Sequence, residues 1–288
     1  MTIGRPALSK APFALDISFD YIQSIRLAEA LLEAGGELHI ERSSAAKFAR
    51  LRDVFGTDPG FGTRGIPILP HVAIDHASPK TTIGKIVRPL IFPTYGFDYL
   101  RSRWRSTRRR HITFAGLLTT SRVRRLNEWL ASYDSGAAPL EELSGRRRLQ
   151  TKLLGRLGFD STRTIERSSV LFCSSNRGRR FPIKAWDSEY FELLLDSEFV
   201  LCPSGDYVWS YRFLEAAMCG AIPIVEERCD LFVGFRFRSM DEALDGMRWS
   251  REDAQANFEL ALERVTVPKN ELSSEIRGLL HSGTLARA

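Results

Sequence analysis

Residues 199–225, "FVLCPSGDYVWSYRFLEAAMCGAIPIV", decide how the rest of the chain is read. The apolar run Phe199 to Cys202 predicts a buried strand. Pro203-Ser204-Gly205 then forces a turn, since proline fixes φ and glycine admits positive φ. Tyr211 to Cys219 carries Phe213, Leu214, Ala217 and Met218 at helical spacing, Gly220 ends that helix, and Ile222 to Val225 starts a second buried strand. The result is a strand–loop–helix–strand unit. Its loop and helix start hold Ser204, Ser210, Arg212 and Glu215, where an α/β sheet binds ligands, outside the carboxyl ends of its strands.

Working outward, strands alternate with helices in both directions, which predicts parallel sheets with crossover helices. Upstream, Phe13–Ile17 and Leu38–Ile40 read as strands flanking a helix over Tyr21–Ala34 that Gly35-Gly36 stops. Strands are expected at Ile68–Ile74 and Val87–Phe92, joined by a polar loop from Asp75 to Lys85. The arginine-rich stretch 101–110, "RSRWRSTRRR", reads as a linker, followed by a strand at His111–Ala115 and an amphipathic helix at Arg122–Ala131. Residues 132–163 resist placement. Val170–Cys173 is a strand, the loop "SSNRGRR" follows, and Asp187–Glu198 is a helix. Helical patterns at Met240–Met247, Arg251–Val265 and Glu271–His281 close the chain. The expected domains are a small N-terminal α/β domain over 1–105, a Rossmann-like domain over 106–265 and a helical tail over 266–288.

The 288 residues are 43% hydrophobic and 26% charged, the ordinary balance of a globular enzyme. No window reaches the ~18 uninterrupted apolar residues of a spanning helix, and the N-terminus lacks the apolar core of a secretory signal. Four cysteines without C-x-x-C spacing, mostly inside apolar runs, read as reduced packing residues. A cytoplasmic or membrane-peripheral protein is expected. The net charge of +6 comes from clusters at Arg101–Arg110, Arg146–Arg148 and Arg177–Arg180. Such clusters suit nucleic acid, anionic lipid or phosphorylated small molecules, or form a solvated surface. Nucleic acid is disfavoured because no helix-turn-helix, zinc-finger or RNA-binding signature accompanies them.

The P-loop, dinucleotide-binding, zincin and nucleophile-elbow motifs are all absent. With no Asp-x-Asp pair, a divalent cation on a nucleotide diphosphate has no obvious ligands. No metal or other cofactor is therefore expected. Phosphate would be met by arginines, backbone amides and helix N-termini. Ser204, Gly205, Ser210, Arg212, Arg177, Arg179 and Arg180 supply these.

The core stretch resembles the exostosin-like glycosyltransferases, glycosyltransferase family 47. Their pattern of apolar-C-x-x-G, a short loop and S-x-R-x-x-E-A-x-x-x-G-x-[IV]-P-[IV] falls on Cys202, Gly205, Ser210, Arg212, Glu215, Ala216, Gly220, Ile222, Pro223 and Ile224. "HITFAG" with "RVRRLNEWL", and "VRPLIFPTYG", are similar to upstream segments of that family, so the resemblance covers about residues 85–226. Tyr211 stands where the family often has proline.

The resemblance implies the GT-B arrangement: an α/β fold of two facing Rossmann-type domains with parallel sheets. It implies inverting transfer from a nucleotide-diphosphate sugar to a glycan, lipid-linked or protein acceptor. The basic stretch 101–110 separately suits peripheral contact with anionic membrane as a further partner. Glu215 would accept from ribose hydroxyls, while Arg212 and Arg122 would reach the diphosphate. Inversion needs a base for the acceptor hydroxyl; Asp16, Asp20, His71, Asp75 and His76 are candidates, with Asp75 and His76 favoured. Two other readings stand beside this one. One is a catalytically inactive nucleotide- or phosphoglycan-binding module of the same fold. The other is a nucleic-acid-binding protein using the arginine clusters.

Overall fold

The computed structural model describes residues 14–16, 22–35, 37–40, 45–56, 60–61, 66–67, 72–75, 77–141, 149–150, 153–154, 157, 159, 161–175, 186–242 and 246–281. It is an α/β protein. The chain divides into two compact units: Met1–Tyr99 with Phe181–Trp186 and Leu262–Ala288, and Leu100–Arg180 with Asp187–Ala261. The segment expected as a separate tail, 266–288, thus groups with the N-terminal residues.

The first unit holds strands β1 (Ala14–Asp16), β2 (Glu37–Ile40), β3 (Gly60–Phe61) and β4 (Ile66–Pro67) in the order β3-β2-β1-β4, every pair parallel. Helices α1 (Ile22–Glu33) and α2 (Ala45–Phe55) follow β1 and β2. Apolar periodicity predicts one buried face on α1, yet Gln23, Ser24, Arg26 and Glu29 are buried along with Ile25, Leu27, Ala28 and Leu31. The polar side is accommodated by specific partners, as buried polar groups require. Gln23 donates to the Thr81 hydroxyl, Tyr95 donates to Glu29, and the Arg26 guanidinium lies 4.3 Å from the Phe92 ring centroid.

Strands β5 (Val72–Asp75), β6 (Lys80–Ile83) and β7 (Ile86–Arg88) form an antiparallel meander. The expected polar loop from Asp75 to Lys85 therefore contains a strand, whose Thr81 and Ile83 alternate inward and are fully buried. Helix α3 (Thr94–Arg101) follows.

The second unit carries a six-stranded sheet of β8 (Arg110–Gly116), β9 (Thr162–Arg167), β10 (Val170–Ser175), β11 (Ser197–Cys202), β12 (Ile222–Val225) and β13 (Arg238–Ser239). Its order is β13-β12-β11-β8-β10-β9, parallel except for β9. Its described helices include α4 (Thr120–Tyr133), α5 (Ser188–Leu195), α6 (Tyr211–Met218) and α7 (Arg251–Val265), the last running on to α8 (Lys269–His281) of the first unit. Ile112, Phe114, Val170, Phe172, Phe199, Leu201, Ile222 and Ile224 from the strands meet Val123, Leu126, Trp129 and Leu130 of α4 in one core.

Three sequence expectations shift here. β9 begins at the end of the unplaced stretch and runs past it; it has one apolar residue, Ile165, and pairs only at an edge. α5 stops at Leu195 because Ser197 starts β11 early: its hydroxyl donates to Leu193 O at 2.7 Å and shares a second hydrogen bond with the Thr113 hydroxyl at 2.8 Å. The described residues of Met240–Met247 are not helical. Met240 N instead donates to Val225 O, and a turn on Ser239 takes the amides of Asp241 and Glu242.

Stretch 101–110 is not a free linker. Arg103 and Arg105 pair with Glu192, and Arg105 and Arg109 pair with Asp196. Arg108 donates to the carbonyls of Leu195, Ser197 and Cys219 at 3.1, 2.7 and 2.9 Å. Burial pulls its pKa down to about 10, which still leaves it charged at neutral pH. These arginines make ion pairs and hydrogen bonds within the unit, with the Arg109 side chain still 77% exposed. Arg146–Arg148 and Arg177–Arg180 lie outside the described residues.

Candidate functional site

The chain leaves β8 through α4 toward β10 on one side, then returns through α5 to β11 on the other. Strand order thus reverses between β8 and β11, the position at which parallel α/β sheets open a ligand crevice. The residues there come from the loops after those two strands and from the first turns of α4 and α6.

Each of those helices sends an arginine across to the opposite strand end. The Arg212 Nε on α6 donates to Ala115 O of β8 at 2.6 Å, and its guanidinium lies 4.7 Å from the Phe114 ring centroid. Gly116 follows with φ +155°, and a Cβ on it would stand 2.3 Å from Arg212 Nη2. Symmetrically, Arg122 of α4 approaches Gly205 in the loop after β11, where a Cβ would stand 2.6 Å from its Nη2. The two glycines leave room for two cations at the sheet edge.

Arg212 is 8% exposed and Glu215 7%, so neither lies on a solvated helix face. Arg212 Nη1 has no hydrogen-bond partner among the described residues. Leaving a buried guanidinium donor unmade is costly. Glu215 accepts from the Tyr190 hydroxyl of α5 at 2.8 Å. Burial, together with the Glu215 carboxylate, pushes the Tyr190 phenol well above its ordinary pKa, so it stays a donor. Burial likewise pushes the Cys202 thiol, at the end of β11, up to about 12. None of the four cysteines is disulfide-bonded.

Ser210 occupies the N-cap of α6 in extended geometry, yet its hydroxyl makes no capping bond. That oxygen is buried without a partner among the described residues. The start of α6, with its positive dipole end, thus shares the crevice with two arginines. Ser204 builds the loop instead: its hydroxyl donates to Val208 O at 3.3 Å and its amide to Glu226 Oε2 at 3.0 Å.

Glu226 is a residue that sequence reading missed. It sits just past β12 and also receives Arg125 Nη1 at 3.0 Å, tying α4 to the β11 loop. Its only sequence signal is a carboxylate immediately after a buried strand.

Four of the expected site residues, Arg122, Gly205, Arg212 and Ser210, meet at this crevice, and Glu215 lies on α6 behind them. Asp75 belongs to the first unit. Its carboxylate accepts from the amides of Ala77 and Ser78 at 2.8 and 3.4 Å and from the Ser78 hydroxyl at 2.6 Å, which makes it the builder of the β5–β6 turn. His76, Arg177 and Arg180 lie outside the described residues. Among the described residues no group of three or more His, Cys, Asp and Glu gathers to hold a metal ion. No described helix is long and apolar enough to cross a membrane.

A family model described as the RXYLT1 C-terminal domain matches residues 172–232, less than half of the chain. Those residues run from within β10 through α5, β11, α6 and β12, the segment that carries Tyr190, Ser210, Arg212, Glu215 and Glu226. No curated protein matches. Two solved structures show distant likeness. AviGT4, a glycosyltransferase involved in avilamycin A biosynthesis, is 14% identical over 96% of this chain and 99% of that one, with a TM-score of 0.44. The GtfA/B complex is 9% identical over 89% of this chain and 55% of that one, with a TM-score of 0.32.

Proposed function

We propose that the chain is a glycosyltransferase that takes its sugar from a nucleoside-diphosphate donor bound at the β8–β11 crevice. The observation that carries this reading is the pair Arg212 and Arg122, each seated against a glycine at the opposite strand end. Two guanidiniums and a helix N-terminus around one crevice suit a pyrophosphate. The family-model match over the same segment supports glycosyl transfer in general.

In this reading Arg212 and the start of α6 hold the diphosphate and take up the charge that grows on it as the glycosidic bond breaks. Glu215 accepts hydrogen bonds from the ribose hydroxyls. Because arginines neutralise the leaving group, the proposed reaction proceeds without a metal. The acceptor is a hydroxyl of a glycan, a lipid-linked sugar or a protein, and transfer inverts the anomeric carbon. Asp75 is not assigned as the base, since its carboxylate is committed to a turn.

The test is a thermal-shift panel of nucleoside diphosphates and their sugars. At least one should raise the melting temperature, because binding to the native state stabilises it by mass action. Glu215→Ala should abolish that rise while circular dichroism stays native. Transfer or donor hydrolysis by the stabilising sugar, unchanged by EDTA, completes the expectation. No shift with any member overturns the donor reading. Binding without turnover would favour an inactive module, and activity lost to EDTA and restored by manganese would overturn the metal-free mechanism.

A further inference from the structure

Glu215 is a long side chain with three rotatable bonds, held 7% exposed on a helix whose residues from Arg212 to Met218 are all buried. A carboxylate that is to read a vicinal diol must present its oxygens in one plane at one angle. The α6 backbone cannot impose that angle by itself. The Tyr190 hydroxyl, 2.8 Å from Glu215 Oε2, can.

Tyr190 is itself fixed. It is the third residue of α5, and its amide donates to the N-cap Asp187 Oδ1 at 3.3 Å. Its ring meets Phe191 edge-on, with centroids 5.4 Å apart and planes at 76°. α5 is anchored at its other end, where Asp196 and the Leu195 carbonyl receive Arg105, Arg109 and Arg108. A hydroxyl has one hydrogen to donate, while a carboxylate accepts about four hydrogen bonds. The bond from Tyr190 holds Oε2 and takes only one of those positions.

Resting on the donor reading above, we propose that Tyr190 is a positioning residue for donor recognition: its hydroxyl fixes the Glu215 carboxylate in the orientation that takes the ribose diol. Pre-orienting a charged, buried acceptor removes an ordering cost from binding. The tyrosine therefore acts on discrimination between ribose and deoxyribose, without touching the base or the phosphates.

Tyr190→Phe removes the hydroxyl and little else. The probes are the tightest binder among UDP, GDP, ADP and CDP and its 2′,3′-dideoxy counterpart. The wild type should prefer the ribonucleotide, and Tyr190→Phe should weaken it about tenfold, the order of one hydrogen bond to a charged group. The dideoxy affinity should not move. On a Glu215→Gln background, Tyr190→Phe should cost little more, as expected of coupled neighbours. A second variant with tetrafluorotyrosine at position 190 keeps the ring and acidifies the phenol. Its ribose preference should fall as rising pH ionises that group.

Full ribose preference in Tyr190→Phe overturns the inference and leaves the donor reading intact. So does an equal loss for both nucleotides, or full additivity with Glu215→Gln. If the wild type binds none of the four nucleotides, the donor reading falls first and the inference with it.

Discussion

At the residue scale, the crevice depends on two positions that carry no side chain. Gly116 has φ +155°, where any other residue is strained, and a Cβ there would stand 2.3 Å from Arg212 Nη2. Gly116→Ala is therefore expected to act through Arg212: the guanidinium must swing away, and the charge it would offer a diphosphate goes with it. We expect kcat/KM to fall about 100-fold or more, the order seen when one charge-stabilising donor is removed, with a smaller change in melting temperature. Steady-state kinetics beside thermal denaturation checks this; kinetics like wild type would show that Arg212 takes no part. Arg212 and Glu215 stood out in the sequence as candidates because a strand–loop–helix unit places its loop and helix start at one sheet edge. Tyr190 did not. In sequence it sits in an amphipathic helix among Phe191, Leu194 and Leu195, and nothing there marks its hydroxyl as a partner of Glu215. Glu226 escaped for a like reason, since one carboxylate after a strand resembles any turn residue.

At the element scale, α6 is a short buried helix whose C-terminal carbonyls are satisfied by side chains from afar. Trp104 Nε1 donates to Met218 O at 3.0 Å, Arg108 Nη2 to Cys219 O at 2.9 Å and Trp249 Nε1 to Gly220 O at 2.9 Å. Helix ends leave such carbonyls without intrahelical partners, so these three bonds fix the element that carries Arg212 and Glu215. This explains why stretch 101–110 misled the sequence reading. A run of arginines has the same composition whether it is solvated, holds a polyanion or caps buried helix ends. The neighbouring ion cluster gives a pH test. Burial alone would raise the Asp196 carboxyl, but hydrogen bonds and charge from Arg109 and Arg105 outweigh it and hold the pKa below its ordinary value. A depressed folded-state pKa contributes stability that is fully present above the unfolded value of about 3.9 and lost as pH falls through the folded one. Asp196→Asn should cost about 1–2 kcal/mol at pH 7, allowing for screening of the exposed arginines. The gap should close on acidification below about pH 4. Urea titrations of both proteins at several pH values check this; a gap that does not change with pH would refute the assignment.

At the scale of the whole molecule, the alternation of strands and helices was legible because it rests on hydrophobic period and on glycine and proline punctuation. What escaped is either a strand of weak apolar signal or a contact with partners far away in sequence. β9 pairs at a sheet edge with almost no apolar signature, and α1 buries Gln23, Glu29 and Arg26 because β6, α3 and Phe92 supply their partners. The C-terminal segment is the clearest case. Read alone, residues 266–288 are an amphipathic helix that belongs to nothing. In the structure α8 packs against α1, with Leu272 1% and Ile276 0% exposed. Lys269 pairs with Glu33 at 3.4 Å, and Glu275 accepts from the Lys85 amide at 2.8 Å in the β6–β7 turn. Phe92 N donates to Val265 O just before it. Deleting residues 269–288 should therefore unseat the first unit rather than trim a loose end. Two buried aliphatic side chains lost from contact correspond to about 3–6 kcal/mol. Amide hydrogen exchange over residues 22–33 reads the effect directly. Those amides should lose most of their protection in the truncated chain, while β8, β10 and β11 of the second unit keep theirs. Unchanged protection over α1 would mean that the helix is an appendage, and that the first unit is complete without it.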